Sequence, residues 1–529
     1  MSSVLVTVLF LPLAAAIALL FVPGREKEIV RRLAFGAAVF TFLLSLWLPA
    51  RFPLGDRGWH FQVNAPWIAA PPIRFHIGVD GLSLWLVLLV TFLTPLAMLA
   101  SWRSIQSRVK EFFFLMLVLE TGMLGVFVAL DLFLFYVFWE ASLVPMYFII
   151  GVWGHARRVY AAVKFFLFTF AGSVLMLVAI IWLYNTTGSF DYGDILTGVQ
   201  SGQYLARGAQ QAWLFLAFFL AFAIKVPLFP LHTWLPDAHT DAPTAVSVIL
   251  AGILLKMGGY GMIRFCLPLF PEASRLFAPY VIVLALIGII YGALVSMVQP
   301  DIKKLVAFSS VSHLGFVVLG IFVFNQQALD GAVYQMLNHG VSTGALFLLV
   351  GMLYDRRHTH LISAFGGLAT PLPVLSGFFL FTSLASMGLP LLNNFVGEFL
   401  VLLGSYSARP LYAYVAAVGV ILSAAYMLWL YQRVFFGEVT AEQNRALPDA
   451  TLREKFVVVP TLVLMLWMGV FSPMFLGRVD GATAQILRQA SSGRYRVENR
   501  VPGPKPQVPG MAEQTRLGSW NLGPGTSKK

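Results

Sequence analysis

Long runs of consecutive apolar residues are the feature that most limits what this chain can fold into. A helix needs roughly 20 apolar residues to cross about 30 Å of hydrocarbon, and about fourteen such stretches occur. They are too long and continuous for membrane β-barrel strands, which alternate over about ten residues. The sequence therefore predicts an all-α polytopic membrane protein, because helices satisfy their own backbone in lipid. The predicted spans lie near residues 3–22, 32–50, 80–101, 111–129, 132–152, 162–184, 211–229, 241–264, 279–299, 303–324, 328–353, 372–402, 409–432 and 455–476.

The composition supports this prediction. Of 529 residues, 58% are hydrophobic and 11% are charged, whereas a soluble domain has roughly 25% charged residues. A soluble globule and a disordered chain are therefore excluded. The single cysteine, Cys266, also excludes an internal disulfide and any iron–sulfur cluster bound by this chain alone, since such clusters need about four thiolates.

The distribution of basic residues predicts the orientation in the membrane. If the first loop is cytoplasmic, the odd-numbered loops carry 18 Lys and Arg residues and the even-numbered loops carry seven. The positive-inside rule then places both termini on the external side. The net charge of +12 reflects this bias and a basic tail, so no nucleic-acid partner is expected. The start of the chain, which does not resemble a cleaved signal or transit peptide, favours the bacterial cytoplasmic membrane.

Ionisable residues within spans are the candidates for function. Each costs about 2.5–3.5 kcal/mol at the centre of a helix and usually faces a bundle interior or a water-filled path. A single one is most simply a hydrogen bond that locks helices together, but several in one bundle indicate a proton path. The residues are Glu120, Glu140, Lys225, Lys256, His313, His339 and Glu398.

Two predicted spans are interrupted beside such a residue. Pro227 and Pro230 follow Lys225, and Gly388 and Pro390 precede Glu398. Proline removes amide donors and breaks the helix, and broken backbone is tolerated in a membrane only where it lines a cavity or is buried in protein. Interrupted spans at matching positions of two halves indicate a transport site. We therefore predict two inverted five-helix repeats, spans 4–8 and 9–13, with broken helices 7 and 12.

The repeat predicts correspondences between residues and a division of the chain. Lys225 corresponds to Glu398 in the fourth helix of each half, and Glu140 corresponds to His313 in the second. The predicted segments are an N-terminal three-span segment (1–110), two repeats (111–266 and 279–436), a last span (437–479), and a Pro/Gly-rich basic tail (480–529) that is extended or disordered.

Other candidate sites are weaker. The glycines around Lys256 fit tight helix packing and local opening equally well. His232 and His239 lack a zinc-site pattern, and a loop or capping role is the simpler interpretation. The histidines of the sequence DRRHTH, His358 and His360, are expected in a solvated basic loop. No nucleotide-binding motif is present, so NADH, flavin and ATP are not expected to bind here.

Three stretches carry a family resemblance. They resemble the antiporter-like membrane subunits of respiratory complex I, the proton-pumping NADH:quinone oxidoreductase, most closely its subunit M (mitochondrial subunit 4) branch. The likeness covers about residues 1–476 and omits the tail. The stretches are WEASLVPMYFIIGVWG (139–154), KVPLFPLHTWLPDAHTDAPTAVSVILAGILLKMGGYG (225–261) and QPDIKKLVAFSSVSHLGFVVLG (299–320).

The resemblance implies roles for the buried residues. It makes Glu140 and Lys225 the proton-input pair. Lys256, His313 and His339 belong to a central hydrophilic axis, and Glu398 stands where sister subunits commonly have lysine and the M type has glutamate. Glu120 matches nothing and is left as a further path residue.

The resemblance also implies partners. NADH, FMN, iron–sulfur clusters and quinone would be held by partner subunits, with no cofactor and no metal in this chain. Neighbouring antiporter-like chains and membrane lipids are the expected contacts. Two alternatives remain: a subunit of a multisubunit cation/proton antiporter or membrane-bound hydrogenase, and a non-conducting scaffold.

Overall fold

The structure, a computed structural model, describes residues 2–201 and 208–491. Apolar runs form nearly all of its helices, as expected where the backbone must bond to itself. The helices of the N-terminal half are α1 (Ser2–Leu20), α2 (Lys27–Ser45), α3 (Trp47–Arg51), α4 (Leu84–Ser104), α5 (Val109–Val128), α6 (Leu132–Trp153), α7 (Arg158–Thr187), α8 (Tyr192–Ser201), α9 (Ala209–Lys225), α10 (Trp234–Asp241), α11 (Thr244–Ile249), α12 (Leu255–Gly261) and α13 (Leu267–Leu269).

The C-terminal half continues in the same way. Its helices are α14 (Pro271–Met297), α15 (Ile302–Phe322), α16 (Gln326–Arg357), α17 (Pro373–Ser386), α18 (Asn393–Ala408), α19 (Pro410–Phe435), α20 (Glu442–Arg445), α21 (Leu452–Val470) and α22 (Ser472–Ser491). Two π-helical segments, Leu250–Leu254 and Met262–Cys266, join α11, α12 and α13 into one span, Thr244–Leu269.

The number of membrane spans is lower than predicted when judged by length and apolarity. Within the described ranges, 11 helices qualify, or 12 if α21 and α22, which meet at 71°, count as one bent span. Helices α9 and α17 are apolar but have only 17 and 14 residues, because each ends at an interruption. The count of about fourteen is therefore not confirmed by this measure.

A β-hairpin corrects the all-α prediction. Strands β1 (His60–Ile68) and β2 (Ile73–Val79) pair antiparallel in a stretch that the sequence analysis treated as a loop. Apolar and polar residues alternate there over too few residues to stand out beside the spans. We call the membrane side that carries this hairpin the hairpin face, and the other side the opposite face.

Helix α22 corrects the predicted boundary of the tail. The tail was expected to begin at residue 480, but α22 continues to Ser491. Its buried side chains recur every three or four residues, as on one face of an amphipathic helix, and this face packs against α13 and α16. Residues 492–529 lie outside the described residues, as does the prediction for them. The buried side chains include Phe475, Val479, Ala482, Ile486 and Ala490.

Two aspartates cap corresponding helices in the two halves. Asp131 begins α6 and forms a β-bridge with Asp191 after α7, while Asp301 begins α15 and forms one with Leu361 after α16. In both places the flanking residues exchange two backbone hydrogen bonds of 2.8–2.9 Å. These bridges therefore join the start of α6 to the segment after α7, and the start of α15 to the segment after α16.

We predict that Asp301→Ala lowers the stability of the fold. The Asp301 side chain accepts from Lys304 N at 3.0 Å, and loss of such a cap costs about 0.5–2 kcal/mol. Thermal unfolding of the purified chain in detergent can be followed with a maleimide dye, because its one cysteine, Cys266, is buried. Asp301→Asn keeps the acceptor and should unfold like the parent; an unchanged midpoint for Asp301→Ala would contradict this account.

Candidate functional site

The two helix interruptions have the same backbone form. After α9, Leu228 N donates to Ala223 O at 2.9 Å, and after α17, Leu389 N donates to Leu384 O at 3.1 Å. In each case the next turn is closed by a bond three residues further on, Leu231 N to Leu228 O and Leu392 N to Leu389 O. Both breaks are therefore ordered turns, in which part of the freed backbone is satisfied within the protein.

The register of these turns changes one predicted correspondence. Since Leu228 aligns with Leu389, Lys225 aligns with Ser386 rather than with Glu398. Lys225 is the last residue before its break, whereas Glu398 lies on α18 after the second break. Both residues belong to the fourth predicted span of their half. Lys225 lies before the interruption of its span, and Glu398 lies after the interruption of the other.

Lys225 is a buried ammonium group surrounded by aromatic rings. It is 1% exposed, and its Nζ has no hydrogen-bond partner among the described residues. The Nζ lies 5.3 Å from the centroid of Trp139 and 5.6 Å from that of Phe165. Ring faces attract a cation by up to about 2 kcal/mol when desolvated, which offsets only part of the cost of burying the charge. A charge on Lys225 is therefore only partly compensated by its surroundings.

Glu140 does not form an ion pair with Lys225. No salt bridge joins them within the 4.0 Å limit among the described residues, and Trp139, the neighbour of Glu140 on α6, packs against the lysine. The carboxylate instead lies against Ser173 and Tyr136 and acts on Lys225 through its charge. The predicted input pair thus lies close enough for electrostatic interaction without direct contact.

Lys256 lies between the two π-helical segments. It is fully buried, and its Nζ donates to Ala251 O in the first segment and lies 2.6 Å from His339 Nδ1 on α16. π-helical turns are rare and occur frequently at functional sites. Gly258, half a turn beyond, lets α12 approach α9: a Cβ there would lie 2.6 Å from Phe222 O. This contact places the segment with Lys256 directly against the end of α9 that carries Lys225.

Four predicted residues form one buried cluster, which we call the axial cluster: Lys256, His339, His313 and Glu398. The rings of His339 and His313 lie 5.9 Å apart, and His313 Nδ1 lies 2.7 Å from Glu398 Oε1. None of the four is more than 2% exposed. The cluster is thus a row of ionisable side chains inside the bundle, with polar contacts at each end and two neighbouring imidazole rings between them.

Neutral polar residues complete the axial cluster, and the sequence analysis missed them. Gln335 Nε2 donates to Glu398 Oε1 at 3.0 Å, and Tyr426 OH lies 3.3 Å from His313 Nε2. Both residues are fully buried. A search limited to ionisable groups overlooks them, although an uncharged amide or hydroxyl in an apolar span is itself a signal, because buried polar groups require partners.

Two further predicted positions are buried without a hydrogen bond. Both carboxylate oxygens of Glu120 on α5 are unpartnered among the described residues, and the side chain is fully buried. His239 on α10 has two unpartnered ring nitrogens and stacks on Phe347 at 4.5 Å. The interpretation of His239 as a capping residue is therefore wrong, because a cap requires a hydrogen bond.

A buried ion pair on the hairpin face was also missed. Arg264 Nη2 donates to Asp80 Oδ1 at 2.6 Å, and both residues are at most 5% exposed. Arg264 Nε donates to Tyr260 OH at 3.3 Å, and Tyr260 is one turn from Lys256 on α12. The sequence analysis did not single out Arg264, because it lies at the very end of the predicted span 241–264. The pair borders a cavity of about 200 Å³.

The described residues contain no group of three or more His, Cys, Asp or Glu arranged to hold a metal ion. The chain's single cysteine does not fit an iron–sulfur cluster, which takes about four thiolates.

Comparison with known proteins identifies the family. A family model described as NADH:quinone oxidoreductase/Mrp antiporter matches residues 129–423, and one described as the amino terminus of NADH-ubiquinone oxidoreductase chain 4 matches residues 63–126. The chain is 46% identical over 500 residues to NADH-quinone oxidoreductase subunit M of Rhodobacter capsulatus, covering 92% of this chain and 97% of that protein. The chain belongs to the subunit M/chain 4 family of complex I.

Solved structures agree with the family. A chain of respiratory complex I from Thermus thermophilus superposes with a TM-score of 0.82 at 34% identity, over 91% of this chain and 99% of that one. A chain of the Mrp complex from Dietzia sp. shares the fold, with a TM-score of 0.79 at 19% identity over 92% of this chain and 99% of that one. The protein is thus a mostly helical, antiporter-like membrane subunit, with 11 or 12 apolar spans in the part of the chain that the structure describes.

We predict that the His313–Glu398 contact stabilises the bundle. Glu398→Ala leaves His313 and Gln335 without their shared acceptor, and removing one partner from such a buried pair costs about 3–5 kcal/mol. Glu398→Gln keeps an acceptor oxygen and should lose less. Denaturant unfolding in mixed micelles measures both, with Glu442→Ala as control because that side chain is 82% exposed. Equal stability of Glu398→Ala and the control would refute the prediction.

Proposed function

We propose that this chain is a proton-translocating membrane-arm subunit of NADH:quinone oxidoreductase, which couples quinone reduction elsewhere in the complex to proton transport. The observation that carries the proposal is the axial cluster, in which Lys256, His339, His313 and Glu398 follow one another in a protein of this family. Ionisable groups are retained inside a membrane protein chiefly where they conduct ions or protons.

The proposed path is Glu140, Lys225, Lys256, His313 and Glu398. A proton from the cytoplasm charges Lys225, whose ammonium group lies against the rings of Trp139 and Phe165. A rearrangement driven by partner subunits shifts Glu140, the lysine loses the support of that negative charge, and the proton is released. It then passes to Lys256 across the contact between α9 and α12, where Gly258 lies, and on through His339 and His313 to Glu398.

We further propose fourteen transmembrane helices with two inverted repeats. The two aspartate-capped bridges support this arrangement. Five of the proposed spans separate Asp131 from Asp301, and an odd number of crossings places the two bridges on opposite faces of the membrane. The proposed division keeps repeats at 111–266 and 279–436. The bias of the loop charges supports a bacterial cytoplasmic membrane with both termini outside.

Partner subunits are part of the proposal. Because this chain has neither a nucleotide motif nor the thiolates of a cluster, NADH, FMN, iron–sulfur clusters and quinone are assigned to them. No proton step therefore runs through a redox group of this chain. Other antiporter-like chains of the membrane arm and membrane lipids are its proposed contacts.

The first prediction from this proposal concerns Lys225. Lys225→Ala in the assembled enzyme should lower proton translocation at least about tenfold, since positioned proton carriers contribute about 10²–10⁴-fold to rates. Lys225→Arg retains the charge but releases protons poorly, so it should also be impaired while assembling normally. Pumping is measured by quenching of a pH-sensitive dye in proteoliposomes supplied with NADH and quinone; unchanged pumping in Lys225→Ala would remove the residue from the path.

The second prediction concerns the complex. An affinity-tagged copy purified from the native membrane should bring down flavin- and iron–sulfur-containing subunits, detected by mass spectrometry and visible absorbance. Recovery with antiporter chains alone, or with hydrogenase subunits, would favour the antiporter or hydrogenase alternative. Normal pumping after neutralising Glu140 and Lys225 together would favour a scaffold.

A further inference from the structure

Three aromatic residues meet on the opposite face, which we call the surface trio: His155, Tyr354 and His360. The His155 ring lies between α6 and α7, with its Nδ1 3.4 Å from Tyr354 OH on α16. His360, just after α16, stacks on Tyr354 with ring centroids 4.3 Å apart. All three are partly exposed. The trio therefore joins solvent to the protein interior, whereas the sequence analysis expected His360 in a solvated loop.

Backbone contacts connect the surface trio to a buried lysine. His155 N donates to Asp241 O at 2.7 Å, and Ile302 N donates to His360 O at 2.9 Å. Lys303, next to Ile302, is 2% exposed, and its Nζ donates to Ala242 O at 2.5 Å. Lys303 thus reaches the end of α10 directly beneath the two histidines, and its charge acts on both of them.

Helix α10 continues this connection towards the axial cluster. His239 lies three residues before Ala242, and the charges of Lys303 and Lys256 both act on its ring. Its stacking partner Phe347 lies eight residues from His339 on α16, about 12 Å along the helix. The His239 ring, which stacks on Phe347, therefore lies between the surface trio and Lys256. Lys256 is in turn in contact with His339.

Several buried polar atoms along this line lack a protein partner. Among the described residues, neither ring nitrogen of His239 is hydrogen-bonded, nor are Asp241 Oδ2, Thr343 Oγ1 and His339 Nε2. Buried polar atoms in proteins are almost always bonded to protein or to ordered water. Ordered water needs two to four polar partners, and these atoms have hydrogen-bonding capacity to offer. Bridging waters are therefore the simplest way to satisfy these atoms.

We propose that the surface trio, Lys303 and His239 form a second proton inlet that delivers protons from the opposite face directly to Lys256, without passing through Lys225. The inference rests on the proposed function, because it supplies the same axial cluster. The bias of the loop charges predicts that this face is cytoplasmic. Pumping requires both parts, because Lys225 and Glu140 respond to the partner subunits while the inlet reloads the central lysine.

The protonation behaviour of the surface trio fits a relay. Burial lowers the pKa of His155, and the charge of Lys303 adds to this effect against that of Asp241. Burial also lowers the pKa of His360 to about 3, with further contributions from Lys303 and His155. Both rings are therefore neutral near pH 7 and pass a proton inward without retaining it. The charged and titratable groups that act on His155 are Lys303 and Asp241, those that act on His360 are Lys303 and His155, and Tyr354 contacts both rings.

Water access to the inlet can be tested separately from pumping. In the full-length Cys266→Ser chain, His239→Cys should react with a small charged thiol reagent at least tenfold faster than Ala238→Cys. Ala238 is the matched control because it is the adjacent residue on α10 and is also fully buried. Equal, slow labelling at the two positions would mean that the line is dry, and would overturn the inlet whatever the pumping results.

Pumping by the assembled enzyme provides the second test. The double variant His155→Gln/His360→Gln should pump several-fold more slowly than the parent at pH 8, where protons are scarce, and within twofold of it at pH 6. His358→Asn, at an exposed position with φ of 53° that asparagine tolerates, should behave like the parent. A double variant unaffected at both pH values would overturn the inlet. If the double variant pumps normally but Lys225→Ala does not, only the inlet is refuted and the proposed function stands. If the double variant and Lys225→Ala both pump normally, the inlet and the proposed function are both refuted.

Discussion

The structure depends on how a charged group is stabilised away from water. Lys256 has no acidic partner within its own helix, and it is held instead by a backbone carbonyl of a π-helical turn and by the ring of His339. An ordinary α-helix offers no free carbonyl in its interior, because every one is bonded four residues on. The irregular turn therefore supplies the acceptor, and α16 must pass close enough to supply the imidazole. The positions of α12 and α16 follow from this requirement.

The same principle explains the broken helices. An interruption exposes carbonyls and amides that hydrocarbon cannot satisfy, and protein groups close part of the backbone at both breaks. Trp234 Nε1 donates to Ile224 O beside the first break, and Asn394 Nδ2 donates to Ser386 O at the second. The polar groups recruited for this purpose line the interior that the ionisable residues share. The broken backbone is thus satisfied next to Lys225 at the first break, and by the helix that carries Glu398 at the second.

Much of the candidate site could be predicted from the sequence, because proline, glycine and charge are conspicuous in apolar runs. The interruptions after Lys225 and before Glu398 are where the prolines and glycines place them. The hairpin and α22 were missed because neither is apolar enough to stand out. His239 was misjudged because a histidine near the end of a span looks like a cap unless its neighbours are known. The predicted correspondence of Lys225 with Glu398 does not follow the matching hydrogen bonds of the two interruptions, which align Lys225 with Ser386.

The two π-helical segments have a mechanical consequence for Lys256. They bracket α12, a segment of only seven residues, and each wide turn contains an extra residue relative to the regular helix. Shifting one hydrogen-bond register within such a turn rotates the short segment without moving the rest of the span. The two wide turns thus set the rotation of α12 independently of the rest of the span, and this rotation directs Lys256 towards His339.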